Sequence, residues 1–222
     1  MTLPSSNSGS WLASPYLSLP LPFLTAALAL VLWLCLTPPD VMHVMREGGP
    51  IEGLTEKMYF ALAVALWLSP RQAGEWKATL ALTILLAACG AREMDLHKAF
   101  TGFSVLKVSF YLQERPLGTK LIAFAIVATV ALAALYLLKT HGRVLWQRVK
   151  VKEPVAFTIA IFFITMVFTK ILDRSVNILD QDFGISTSES ILALVSAMEE
   201  TIEMSLPMIA AVARLQYIKV RP

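Results

Sequence analysis

Three glutamates stand between two apolar stretches near the end of the chain, in the run ILALVSAMEETIEMSLPMIAAVA. Glu199 and Glu203 are four residues apart and would share one face of a helix, and Glu200 lies three residues before Glu203. Carboxylates this close repel one another unless a proton, a cation or a basic side chain lies between them. An ionisable group at membrane depth costs about 3 kcal/mol or more, so such groups usually face the protein interior and mark a functional site.

A second polar cluster follows the third apolar stretch, in the run REMDLHK. We expect the third helix to continue through this cluster, which would put Glu93 and His97 on one face and Asp95 on another. Glutamate and histidine four residues apart have the spacing of metal ligands on a helix. The alternative is an ordinary solvated helix end.

A third polar set comes before the second apolar stretch, in the run DVMHVMREGGPIEGLTEK. The pair Gly48–Gly49 followed by Pro50 predicts a turn. Glu52 then falls near the start of the next helix, where the helix dipole favours an acid. That capping role alone would explain Glu52. The other ionisable members of the set are Asp40, His43 and Glu47.

These side chains suit a divalent cation, Zn²⁺ if histidines dominate and Mg²⁺, Mn²⁺ or iron if oxygens dominate. The expected metal ligands are Glu93, His97, Glu199 and Glu203. A bound metal would lower the pKa of a water molecule and make it a nucleophile, with Asp95 or Glu200 as the general base. One hypothesis is therefore a metal-dependent membrane hydrolase acting on a lipid or lipid-linked substrate at the outer face.

The second hypothesis, which we favour slightly, is a protein without enzymatic activity. Its buried acids would pair with basic side chains, for which the candidates are Arg92, Lys170 and Arg174. Without a metal, the same acids could relay protons or bind a cation, as in transporters. The protein would then be a small transporter, a sensor or an accessory subunit. The sequence contains no phosphate-binding loop, nucleophile elbow or dinucleotide fingerprint, so we expect no nucleotide partner.

The composition of the chain indicates a membrane protein. Its 222 residues are 56% hydrophobic and only 16% charged, and the mean hydropathy is +0.64. Soluble domains carry about 25% charged residues. These values argue against a nucleic-acid binder, a disordered chain and a soluble enzyme, and they make the lipid bilayer, with a lipid substrate or other membrane subunits, the expected partner. Cys35 and Cys89 both lie in apolar runs, which excludes a disulfide framework.

Hydropathy predicts an all-α transmembrane bundle of about six spans, each of roughly 20 residues. We expect one transmembrane domain over 16–217, with tails at 1–15 and 218–222. Ser186 and Glu189 have the spacing of a capping box at the start of the last span, and Pro207 should kink it. We expect Asp173 and Arg174 to close the fifth span. The predicted spans are 16–36, 54–68, 76 onward, 121–138, 154–172 and 187–215.

The orientation of the predicted bundle follows from its basic residues. The segment 139–153, KTHGRVLWQRVKVKE, is the best candidate for a cytoplasmic loop because such loops carry an excess of Lys and Arg. With six spans, both termini would then be cytoplasmic, and the loops 37–55, 92–118 and 173–188 would face out. The acid-rich segments would therefore gather toward the outer face.

Three segments resemble a group of bacterial integral membrane proteins: EGGPIEGLTEKMYF, REMDLHKAFTGFSVLKVSFY, and LDRS together with EETIEMSLP. In that group a Gly-Pro turn flanked by glutamates precedes one span, and a later span ends in an acid-rich motif. The resemblance covers most of the chain after Asp40 and implies the bacterial cytoplasmic (inner) membrane, but no reaction. The positions it supports are Glu52, Glu93, Asp95, His97, Glu199, Glu200 and Glu203.

Overall fold

The computed structural model describes residues 11–70, 72, 74–96, 104–184 and 187–220. Over these residues the regular secondary structure is all helical, with no strand, which confirms the all-α prediction. In the described part of the chain, a short 3₁₀ turn, Trp11–Ala13, comes before eight α-helices with assigned bounds. The helices are α1 (Pro20–Cys35), α2 (Pro38–Val44), α3 (Pro50–Leu68), α4 (Trp76–Glu93), α5 (Val108–Leu112), α6 (Leu117–Lys150), α7 (Pro154–Gln181) and α8 (Glu189–Val220).

The helices belong to two compact units. The terminal unit comprises residues 1–45 and 145–222, and therefore contains α1, α2, α7 and α8. The middle unit comprises residues 46–144 and contains α3, α4, α5 and most of α6. Glu203 belongs to the terminal unit and Glu93 to the middle unit.

Helix α8 is the centre of the terminal unit and packs against α1, α2 and α7. Every residue from 201 to 207 is buried, although only one stripe of a surface helix would be. Small side chains recur at every fourth position of α8 and allow close approach of neighbouring backbones, as is common between membrane helices. The fully buried members of this row are Ala193, Ala197, Thr201 and Ser205.

Buried hydrogen bonds fix one end of the terminal unit. Ser18 Oγ donates to Thr158 Oγ1 over 3.2 Å, and Thr158 Oγ1 donates to Gln216 Oε1 over 2.7 Å. Gln216 Nε2 in turn donates to the Ser14 carbonyl oxygen at 3.0 Å. Because the end of α8 meets the start of α7 here, α8 runs antiparallel to α7.

In the middle unit, α3 and α4 form an antiparallel hairpin. Trp67 Nε1 near the end of α3 donates to Thr83 Oγ1 in the first half of α4, over 2.9 Å. Further along, a Cβ atom at Gly90 would lie 3.0 Å from Cε2 of Phe60, a contact so tight that the ring would have to shift, so glycine suits this close approach of the two helices. The connection between the helices contains Gly74 with a φ of +90°, a conformation that glycine adopts readily.

Two of the described helices are long and apolar enough to cross a membrane: α6, and α7 over Pro154–Val176. Their most apolar 18-residue windows have mean hydropathies of 2.7 and 2.3, yet only 11% and 28% of those windows are buried. The core helix of a soluble protein would be mostly buried, so these helices expose apolar side chains instead. Helix α1 is also apolar, but it has only 16 residues.

Several predicted helix boundaries are wrong because helices run on through polar sequence. Helix α6 continues to Lys150, so most of the predicted cytoplasmic loop is helical. Lys and Arg are good helix formers, and Arg148 and Lys150 in the last turn face the negative end of the helix dipole. Helix α7 continues to Gln181, so Asp173 and Arg174 lie within it instead of closing it.

The predicted continuation of the third span past Gly90 is confirmed only as far as Glu93, where α4 ends. Its continuation through Asp95 is wrong, because Asp95 has a φ of +49°, the left-handed conformation that stops a helix. His97 lies outside the described residues, as does Ser186 of the predicted capping box. The turn predicted at Gly48–Pro50 is confirmed, because Gly48 has a φ of +71° and α3 begins at Pro50.

Candidate functional site

A buried ion pair joins α7 to α8. Lys170 Nζ lies 2.5 Å from Glu203 Oε1, and the side chain of Glu203 is only 7% exposed, whereas that of Lys170 is 33% exposed. Among the described residues, Glu203 Oε1 has no other polar partner. The structure therefore confirms one of the ion pairs that the second hypothesis anticipates.

The local sequence explains why this pair is enclosed. Thr169 precedes Lys170, and Thr201 and Ser205 flank Glu203, and all three are buried. Each hydroxyl donates to a carbonyl oxygen of its own helix, over 3.0 Å, 2.7 Å and 2.6 Å respectively. Because each of these hydroxyl groups is already hydrogen-bonded within its own helix, the three residues pack as small side chains. The contact that balances the charge of Glu203 is the one with Lys170.

Pro207 lies one turn after Glu203 and is fully buried inside α8. Since proline has no N–H group, the carbonyl oxygen four residues earlier loses its helical donor, and that residue is Glu203. The residue that carries the buried carboxylate therefore also has a backbone carbonyl released from the helix ladder. Breaks of this kind are tolerated in membrane helices where neighbouring groups line a site.

The other helices packed against α8 bring little charge to this pair. Helix α1 contains no Asp, Glu, Lys, Arg or His. Helix α2 carries Asp40 and His43, but both are exposed, and Asp40 accepts a hydrogen bond of 2.5 Å from the Thr37 hydroxyl at the start of its own helix. Lys170 is thus the cation that meets the carboxylate of Glu203.

The remaining predicted site residues divide between the two units. Glu199 and Glu200 are half-buried on α8, one turn before Glu203. In the middle unit, Arg92 Nη1 lies 3.7 Å from Oε1 of its sequence neighbour Glu93, which is half-buried. Over the described part of the chain, no three His, Cys, Asp or Glu side chains are grouped in a way that could hold a metal ion. The joint metal site and the roles of Asp95 and Glu200 as general base stay predictions.

Glu52 is the centre of the polar groups that precede α3. Its carboxylate accepts a hydrogen bond from the Gly48 N–H, and Glu52 lies in the first turn of α3, as predicted. Burial raises the pKa of Glu52, the Gly48 hydrogen bond lowers it, and the carboxylates of Asp95, Glu47 and Glu56 raise it further. Asp95 of the REMDLHK cluster therefore lies within electrostatic range of the turn before α3, a relationship that sequence spacing did not predict.

Comparisons with protein-family models, with curated proteins and with solved structures find no match to this chain. The resemblance to bacterial membrane proteins therefore stays a prediction, and so does any activity.

Sequence reasoning missed the polar chain from Ser14 to Gln216. A signal was present, because Gln216 is the only amide side chain in the sequence of α8, and a buried amide needs partners. Its partners, Thr158 and Ser18, lie far away in sequence and only the folded chain identifies them.

Proposed function

We propose that the chain is a multi-pass protein of the bacterial cytoplasmic membrane, with about six spans and both termini in the cytoplasm. Within the membrane it acts as a small transporter or sensor, without enzymatic activity. The observation that carries this proposal is the buried contact between Lys170 and Glu203. Support for the membrane location comes from α6 and α7, whose long apolar stretches are mostly exposed.

The position of the ion pair within two predicted spans supports a functional role. Lys170 is sixteen residues after Pro154, where α7 begins, and two residues before Leu172, where the predicted fifth span ends. Glu203 is fourteen residues after Glu189, where α8 begins, or about 21 Å along the axis at 1.5 Å per residue. Lysine and glutamate are rare inside membrane spans, and where they occur they mark ion or proton pathways.

Protonation of Glu203 is the event that this arrangement would couple to a change of shape. A neutral Glu203 no longer balances the charge of Lys170, and an unbalanced ammonium group favours a position nearer to water. Pro207 provides a break in α8 one turn away, where such a change could be accommodated. Binding or loss of one proton would thus alter the contact between α7 and α8.

Proton flux into proteoliposomes tests this function. The protein is reconstituted with a pH-sensitive dye inside the vesicles, and a pH gradient and a membrane potential are imposed in turn. We expect flux above that of empty vesicles, and we expect Glu203→Gln to abolish it. Glu189→Gln is the matched control because Glu189 is an exposed glutamate at the start of the same helix. Equal flux in wild type, Glu203→Gln and empty vesicles would reject transport.

Thermal unfolding with and without EDTA distinguishes this proposal from the metal-dependent hydrolase. A protein held by Lys170 and Glu203 should unfold at the same temperature in both conditions. A metalloprotein is stabilised by its bound ion and loses that stability when the ion is removed. A marked fall in unfolding temperature with EDTA would therefore favour the hydrolase.

A further inference from the structure

An open groove of about 340 Å³ runs between α4 and α6 of the middle unit. Its lining is almost entirely apolar, and Ala81 and Ala133, both buried, are its smallest lining residues. Leu80 and Leu132 line the groove while remaining exposed, so the groove opens sideways to the surroundings of the helices. In a bilayer those surroundings would be lipid.

The charged and aromatic lining residues fall at the helix positions nearest to the membrane surface. Trp76 and Lys77 are the first two residues of α4, and Tyr136 lies one turn before Lys139. Successive spans of a multi-pass protein run in opposite directions, which brings these positions of α4 and α6 to the same level. Tryptophan, tyrosine and lysine at one level are typical of a membrane interface.

We infer that this groove binds one acyl chain of an anionic phospholipid of the cytoplasmic leaflet, with Lys77 at the phosphate group. The inference rests on the membrane location and topology proposed above, in which the start of α4 is cytoplasmic. The occupant must combine an apolar tail with one negative charge, because the groove combines an apolar length with one exposed ammonium group. Anionic lipids are concentrated in the cytoplasmic leaflet, which matches this requirement.

A phospholipid fits the groove better than a helix of another protein would. The lining residues of α4 extend only from Trp76 to Ile84, about 12 Å along the axis, so a partner helix would find little contact area. The hydroxyl of Thr129, in the middle of the lining, donates to the Ala125 carbonyl oxygen of its own helix over 2.7 Å. Away from the level of Lys77 and Tyr136, the groove therefore offers little polar specificity to a protein partner.

Quenching of Trp76 fluorescence by brominated lipids tests this inference. The full chain is reconstituted into vesicles of phosphatidylcholine that contain a minor fraction of brominated phosphatidylglycerol or brominated phosphatidylcholine. The contribution of Trp76 is the signal lost in Trp76→Phe. We expect the brominated anionic lipid to quench Trp76 more strongly than the brominated zwitterionic lipid at equal fraction.

Two variants and two matched controls locate the binding. Lys77→Gln should lower the apparent affinity for the anionic lipid about fivefold, since one lysine near an anionic surface contributes ~1 kcal/mol. Ala133→Phe should fill the groove and remove the quenching by both lipids. Lys120→Gln and Ala125→Phe change the same residue types on α6 outside the groove lining, and should leave the quenching as in wild type.

Equal quenching of Trp76 by the two brominated lipids would overturn the inference, as would quenching that Ala133→Phe leaves intact. If the protein floats with the vesicles in a density gradient, either of these quenching results refutes the lipid site and leaves the membrane location standing. A protein that does not float with vesicles at all refutes the membrane location, and the lipid site with it.

Discussion

Lys170 and Glu203 contribute unequally to their buried contact. The carboxylate is almost fully enclosed, whereas the ammonium group retains access to the surface of the unit, with side-chain exposures of 7% and 33%. A long lysine side chain can move its charge toward water, but a glutamate held inside α8 cannot. The two partners should therefore differ in what their loss costs.

The first prediction concerns the stability of this pair. Lys170→Met leaves a buried carboxylate without its cation and should destabilise the protein by about 3–5 kcal/mol, while Glu203→Gln should cost clearly less because Lys170 can reach water. The double variant Lys170→Met/Glu203→Met should recover most of the loss. Unfolding of the purified protein in detergent, followed by circular dichroism, provides the measurement.

Equal costs for the two single variants would contradict the asymmetry, and simple additivity in the double variant would show that the two side chains do not interact. Thr158→Val is a suitable control for the double-variant comparison, because Thr158 and Lys170 lie on the same helix but make separate contacts. The losses in unfolding free energy of Thr158→Val and Lys170→Met should add, because distant sites are independent.

The second prediction concerns the polar chain at the other end of α7. Gln216→Leu should cost about 1–3 kcal/mol, because it leaves the Thr158 hydroxyl and the Ser14 carbonyl without their partner in a buried place. Thr158→Val and Gln216→Leu together should cost less than the sum of the single changes. Thr129→Val is the control, since Thr129 is exposed and its hydroxyl donates to a carbonyl oxygen of its own helix. A control as destabilising as Gln216→Leu would contradict this account.

The third prediction concerns the contact between α3 and α4. Gly90→Val should destabilise the middle unit by about 1–3 kcal/mol, because the added atoms meet the ring of Phe60. Gly53→Val in α3 meets only the flexible end of Lys57, at 3.9 Å from the new Cβ, and reports the effect of the residue type alone. Thermal unfolding of both variants gives the comparison. If Gly53→Val proves as costly, the close approach at Gly90 is not the cause.

The fourth prediction concerns pH. Burial raises the pKa of Glu52 above its usual 4.5, so the folded state holds the proton more tightly than the unfolded state. The contribution of Glu52 to stability is then fully present below pH 4.5, and is lost as the pH rises through the raised pKa. The ¹³C chemical shift of the Glu52 carboxyl group should titrate with a midpoint above 4.5.

Glu52→Gln provides the control for this titration. The variant should not show the loss of stability that wild type shows as the pH rises from 4.5 through the raised pKa. A wild-type midpoint at or below 4.5 would mean that the Gly48 hydrogen bond outweighs burial. Asp95→Asn should lower the midpoint, because it removes one of the neighbouring negative charges.

The sequence was a good guide wherever a local signal decides the structure. The turn at Gly48–Pro50, the proline inside α8 and the place of Glu52 in the first turn of α3 all follow from the chemistry of one or a few neighbouring residues. The apolar stretches likewise predicted helices, because their length and hydropathy are properties of the segment itself.

Local patterns failed where a helix crosses from apolar into polar sequence. Hydropathy marks the edge of a bilayer, whereas backbone hydrogen bonding decides where a helix ends, and the two need not coincide. Helix α6 therefore extends twelve residues beyond the predicted end at Leu138, while α4 stops at Glu93 because Asp95 adopts a left-handed conformation. The sequence could not decide which of three basic residues pairs with Glu203, because only the packing of α7 on α8 brings Lys170 to it.

The length of α6 has a consequence for the membrane topology proposed above. At 1.5 Å per residue its 34 residues extend about 51 Å, and a hydrocarbon layer of about 30 Å would take up only its apolar portion. In that topology the last twelve residues would form a stem about 18 Å tall that lifts its positive charges clear of the headgroups. The stem would present those charges to the cytosol at a set height and angular spacing. The positively charged residues of the stem are Lys139, Arg143, Arg148 and Lys150.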